Sequence, residues 1–191
     1  MKFTLLSFYT LSLISLLSLS GCATPPSHLI VAPDIFSTPA LHHNNKKAQL
    51  DVIDMRTATH ILQILREGEA ATLISAQQRL EETIENQLSQ HWKKQHLLIN
   101  SNAINVITIE IEKAIINVTQ STMKYKVNTE IILKVTVNNN EKTLTSTFKN
   151  NGNSHGPLRA DIAVLERNFN ERLTKLLQQI LANEQISLFL K

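Results

Sequence analysis

The chain is poor in glycine, cysteine and aromatic side chains: four glycines, one cysteine and 5% aromatics in 191 residues. So few glycines leave no room for a glycine-rich phosphate cradle, and no G-x-G-x-x-G or Walker spacing occurs. One cysteine excludes an internal disulfide framework and a thiolate zinc cluster. Neither sign of charge dominates. Nineteen Lys+Arg stand against sixteen Asp+Glu, a formal net charge of +3, which gives no electrostatic footprint for nucleic-acid binding. The apolar run over residues 3–19 falls short of the roughly 20 residues a membrane-spanning helix needs. What remains is a chain of single-domain length. It can bury roughly 70% of its unfolded surface without a disulfide or metal.

The opening residues are the most informative. Met1-Lys2 and the apolar run form the n- and h-regions of a secretory signal. Leu19-Ser20-Gly21-Cys22 follows and resembles the bacterial lipobox. The resemblance implies cleavage between Gly21 and Cys22. It also implies diacylglycerol on the Cys22 sulfur and an N-acyl chain on its amine. Each buried methylene contributes about 0.8 kcal/mol, so two or three chains anchor the protein permanently. Ala23 is not the aspartate that retains such proteins in the inner membrane. The expected place is therefore the outer membrane, facing the periplasm. Pro25, Pro26, Pro33 and Pro39 make the next stretch extended rather than helical. Three parts are expected: a signal over 1–21, a lipidated Pro-rich tether over 22–47 and one domain over 48–191.

Within that domain the hydrophobic pattern changes period several times. Leu50, Val52 and Ile53, then Ile61 to Leu65, read as two short strands, with a turn at Gly68 and a further strand at 72–74. Ser75 and Gln78 form a capping box for a helix over 76–95, with Leu80, Ile84, Leu88 and Trp92 on one face. Ile107, Ile109 and Ile111 alternate, and the alternation resumes out of phase at Ala114, Ile116 and Val118. The change of parity predicts a β-bulge near Glu112. A long strand follows. Val127 to Val137 face inward on odd positions, and Lys124, Lys126, Asn128, Glu130 and Lys134 face outward. Asn138 to Asn140 read as a turn, 144–148 as a strand and 150–157 as a loop. A helix over 158–182 carries Ile162, Leu165, Phe169, Leu173, Leu176 and Ile180. The expected fold is α+β: a two-layer sandwich with a mostly antiparallel sheet and two amphipathic helices on one face.

The Gly21 to Pro26 start, Val31-Ala32-Pro33, Asp54-Met55-Arg56-Thr57, the Ser75-led helix, the 118–125 hairpin region and the Ser187 to Lys191 tail share an order and spacing. In these features the chain resembles the YajG family of outer-membrane lipoproteins. It departs from the family pattern at 41–47 and 92–96. The resemblance implies a lipid-anchored periplasmic domain and supplies no reaction.

No set of reactive residues converges. His42 and His43 adjoin in a loop, and His91 and His96 lie five apart, so solvated histidines are expected and no metal site. Asp54 and Arg56 share a strand face and are expected to form a surface ion pair, with Asp51 nearby. Asp34, Glu67 and Glu69 lack glycosidase spacing, and Ser154-His155 lacks a nucleophile elbow. Trp92 belongs to the core. Lys124, Lys126 and Lys134 are the candidate partner-facing surface. The function expected is non-enzymatic: an accessory or binding factor for an envelope protein or lipid. It needs no cofactor beyond the acyl chains. A lipid- or glycan-binding module is the alternative, and a hydrolase ranks last.

Overall fold

The structure, a computed structural model, describes residues 26–190. Strands β1 (His28–Leu29), β2 (Lys47–Asp54), β3 (His60–Arg66) and β4 (Thr72–Ala76) precede helix α1 (Leu80–Lys94). Strands β5 (Leu98–Ile99), β6 (Asn105–Gln120), β7 (Lys124–Asn138) and β8 (Thr143–Pro157) follow, then α2 (Ile162–Leu181) and α3 (Glu184–Phe189).

All eight strands form one sheet organised around β6. Along one edge β6 pairs antiparallel with β7 over nearly its whole length, and β7 pairs antiparallel with β8. Along the other edge β2 and β3 lie end to end, both parallel to β6. This corrects the expected architecture. The sheet is mixed and curls into a half-barrel, and strands account for 42% of the described residues, so it is not a mostly antiparallel layer of a two-layer sandwich. The reason is the long connection through α1. A crossover of that length returns the chain to run parallel to the strands it left, and side-chain alternation is the same in either sense. The core fills the concave side. Ile107, Ile109, Ile111, Ala114, Ile116 and Val118 of β6 are buried in one cluster with Ile84, Leu88 and Trp92 of α1 and Phe169, Leu173 and Leu177 of α2.

The bulge at Glu112 is present, with the β6–β7 register shifting between Ile111 and Lys113. It keeps both halves of β6 pointing apolar side chains into the same core. It also coincides with the gap between β2, which last pairs at Ile111, and β3, which first pairs at Ile116.

Three boundaries differ from expectation. Ser75 is not a helix cap. It pairs with His60 and with His28 as part of β4, and α1 begins at Leu80 with Arg79 at the cap and no side-chain cap bond. Pairing on both sides of β4 outweighs the local capping signal. The expected loop over 150–157 is strand, and β8 runs to Pro157. Its glycines are fitted to neighbours. A Cβ at Gly152 would collide with the Arg172 guanidinium, and one at Gly156 would stand 2.7 Å from Tyr125 Oη. The chain leaves β8 through Leu158 (φ 61°), and α2 starts at its cap Asp161, which accepts from Ala163 N at 2.8 Å.

The segment from Leu29 to Ile35 forms a strap on α2. Leu29, Val31 and Ile35 are buried. The alternate backbone N–H groups donate to α2 side chains one turn apart: Ile30 to Glu166 (2.7 Å), Ala32 to Asn170 (3.1 Å) and Asp34 to Thr174 (3.0 Å). Asn170 Nδ2 returns a bond to Ile30 O at 2.9 Å. Part of the expected tether is thus bonded to the body. The C-terminal tail docks back as α3. Lys46 Nζ donates to Ser187 O and Leu190 O, and Asn139 Nδ2 donates to Phe189 O.

Candidate binding surface

Gly21 and Cys22, the expected cleavage and lipid-attachment residues, lie outside the described residues. The other sequence candidates can be placed. Asp54 and Arg56 form a largely buried pair, with side chains 14% and 7% exposed, and not the expected surface pair. Arg56 Nη2 donates to Asp54 Oδ2 at 2.7 Å and Nε to Oδ1 at 2.9 Å, while Nη1 reaches Ala114 O at 3.2 Å. The guanidinium therefore fills the gap between β2 and β3, where the β6 edge has no strand partner. Burial raises the Asp54 carboxyl pKa, but the bonds and charge of Arg56 outweigh it and hold the carboxyl below its ordinary value. This is a structural plug. Asp51 is not part of it and accepts instead from Gln49.

The histidines are not all solvated. His43 and His91 are 1% and 4% exposed. Neither His43 ring nitrogen has a hydrogen-bond partner among the described residues, and the nearby Gln95 Oε1 is also unpaired there. Burial depresses the His43 pKa, with the Lys46 and His42 charges adding to it and Gln95 opposing. His91 is lowered by burial and by Lys94, and its Nδ1 meets Thr38 Oγ1 at 2.7 Å. Both are buried where the 38–45 segment packs against α1 and its C-terminal cap. Asp34 lines a depression beside α2, whereas Glu67 and Glu69 line one near Arg66 and Arg159, so the three carboxylates do not share a site. Ser154 and His155 are consecutive on β8, so their side chains point to opposite faces. Trp92 is in the core.

The lysine surface separates into two parts. Lys134 is bonded to Glu110 at 2.6 Å, which raises its pKa. Lys126 is eight residues away on the same strand, about 27 Å, and is exposed with Lys124. Strand β7 is interior to the sheet, so it offers no free edge to a partner. The long free edge belongs to β8, which among the described residues pairs with β7 alone; the two-residue β1 and β5 are the other edge strands.

The convex face holds a feature the sequence reading missed. Gln63, Asn117, Asn128 and Asn153 stand in register on β3, β6, β7 and β8, and Leu73 of β4 continues the row. Four carboxamides on four adjacent strands span roughly 14 Å. Their side chains make no hydrogen bond to the described residues. The next row is Leu65, Thr119, Lys126 and His155. Together Asn117, Thr119, Lys126, Asn128, Asn153 and His155 line a shallow depression of about 460 Å³. Asn128 was legible as outward-facing, but Asn153 lay in an expected loop and the pairing of β3 with β6 was not foreseen. The row offers donors and acceptors at fixed spacing, with one cation at its margin.

The fold is a single curled mixed sheet with helices over its core, and comparison with known proteins gives the family it belongs to. Residues 33–191 match the family model described as uncharacterised lipoprotein. The chain belongs to that family, the YajG family of its sequence resemblance. No curated protein matches it. Among solved structures it is similar to protein XCC0632 from Xanthomonas campestris, of the DUF330 family, at 12% identity and a TM-score of 0.57, covering 83% of this chain and 95% of that one. That likeness concerns the fold alone. A PelC dodecamer from Paraburkholderia phytofirmans aligns at 14% identity and a TM-score of 0.32, covering 77% and 95%. The hypothetical protein CT253 from Chlamydia trachomatis gives 12% and 0.28, covering 73% and 93%. Family membership supports a membrane-anchored place in the cell envelope.

Proposed function

We propose that the protein is a non-enzymatic accessory lipoprotein, anchored through acylated Cys22 in the outer membrane and facing the periplasm. It binds another envelope component on the convex face of its sheet. The observation that carries this reading is the row of four unbonded carboxamides beside an exposed lysine. Its chemistry suits recognition: neutral donors and acceptors are held by paired strands, and the hydroxyl–imidazole contacts, Ser27 with His28 and Thr38 with His91, lie outside this row. The acyl chains are the one attached group the reading requires.

A photo-crosslinking amino acid at Lys126 in intact cells tests it. Adducts that form there, and are lost both with Cys22→Ala and when the crosslinker is moved to Gln78 near α1, are the expected result. Absence of any adduct above the Gln78 control overturns the reading. A second reading, a partner strand added along β8, is favoured by that strand's open edge. It predicts adducts from Thr147 and none from Lys126.

A further inference from the structure

The carboxamide row carries a more specific conclusion, which rests on the binding reading above. Asparagine is disfavoured in strands, where β-branched residues pack better on the pleated surface. The same convex face shows how the sheet meets this preference elsewhere. Thr108, Thr136 and Thr145 form an in-register row across β6, β7 and β8. Threonine there gives a solvated surface with residues that favour the strand. Asn117, Asn128 and Asn153 occupy the equivalent positions of a second row in the same three strands, and Gln63 extends it onto β3. Solubility alone does not call for this replacement, since threonine or lysine serves it.

Four carboxamides present both N–H donors and C=O acceptors, and carry no charge. That set complements a ligand which itself alternates donors and acceptors without charge: hydroxyl and acetamido groups of a sugar chain. The ends of the row add what a sugar face needs. Leu73 (54% exposed) and Leu65 (42% exposed) lie on the same side and offer apolar surface to ring C–H groups. Lys126, which has no ion pair among the described residues, stands at the margin where a sugar carboxylate would be met. The row crosses the strands over roughly 14 Å, which matches an extended oligomer better than a single small molecule. The depression is shallow and open, as a polymer passing across a surface requires.

We infer that this row is a binding site for a glycan chain bearing acetamido groups, laid across β3, β6, β7 and β8 with its N-acetyl and hydroxyl groups bonded to Gln63, Asn117, Asn128 and Asn153. The test uses the full chain in a non-glycosidic detergent, titrated with tetra-N-acetylchitotetraose and followed by the side-chain NH₂ signals in ¹H–¹⁵N spectra. Saturable movement of the Asn117, Asn128 and Asn153 signals is expected. The double variant Asn117→Ala, Asn128→Ala should weaken binding by about tenfold or more, which is about 1.4 kcal/mol, with an unchanged melting temperature or a higher one. Maltotetraose, which lacks acetamido groups, should bind at least several-fold more weakly. The inference is overturned if these signals stay still at millimolar glycan, if the double variant binds as well as the parent, or if maltotetraose binds equally. Adducts from Lys126 in cells, together with no response to the glycan, would sink the glycan assignment and leave the binding function standing.

Discussion

Single residues in this molecule take roles that their type does not announce. Arg56 is the clearest case. Its guanidinium bonds Asp54 and also the Ala114 carbonyl, at the one stretch of β6 edge left between β2 and β3. Removing one partner of a buried pair leaves an uncompensated charge. Asp54→Ala should therefore destabilise the fold by about 3 kcal/mol, measurable as a lower urea midpoint with an unchanged slope. A loss within about 0.5 kcal/mol, the usual range for a surface change, would mean the pair is only a surface feature. The sequence placed Asp54 and Arg56 on one strand face, but not their burial, because the gap they fill is created by two strands meeting a third that follows much later in the chain. His43 was misread for a similar reason. Its neighbours His42, Asn44 and Asn45 look like a solvated loop, yet the loop folds under the C-terminal end of α1, where His43 N donates to Gln95 O at 2.9 Å.

Elements were legible where their signal was periodic and failed where it was local. The parity change near Glu112 located the bulge, and the α2 stripe located that helix's buried face. The capping box at Ser75 did not start a helix, because a local preference competes with strand pairing on both sides of β4. Asn and Gly at 150–157 suggested a loop. They are strand because β7 presents a full-length partner and Arg172 bonds Asn150 Oδ1 and Asn151 O beside Gly152. The candidate surface suffered most, since an in-register row exists only once the strand partners are known. The uncapped start of α1 makes a prediction at this scale. Arg79 has extended backbone angles, φ −60° and ψ 132°, which suit a capping side chain. Arg79→Ser should supply a cap worth about 1 kcal/mol, less the small loss of its exposed pairs with Glu81 and Glu82. Calorimetry should find a melting temperature higher by about 2–4 °C. A decrease would show that those exposed pairs outweigh the cap.

For the whole molecule, buried histidines couple folding to acidity. The folded-state pKa values of His43 and His91 lie below their ordinary 6.5, chiefly through burial. The unfolded chain then binds more protons as pH falls below about 6.5, so stability is fully present above that value and declines beneath it. Unfolding free energy should drop as pH falls from about 6.5, the ordinary histidine value, towards the lower folded values, and His43→Leu should reduce the slope. A slope unchanged by that substitution would exclude His43 as a source. Asp54 acts in a separate window: its contribution is present above 3.8 and is lost as pH falls through its lower folded value. The strap on α2 bears on how the chain reaches this state at all. Ile30, Ala32 and Asp34 take their partners from residues 136, 138 and 140 positions later. At a synthesis rate of about 5–20 residues per second, that is a wait of roughly 7–30 s. Leu29 finds a partner earlier, in Ala76 of β4, but Val31 and Ile35 flank the bonds to α2 and wait as long for that helix. The nascent protein thus carries bare apolar side chains in its early segment for most of its manufacture, the kind of exposure that holding chaperones answer.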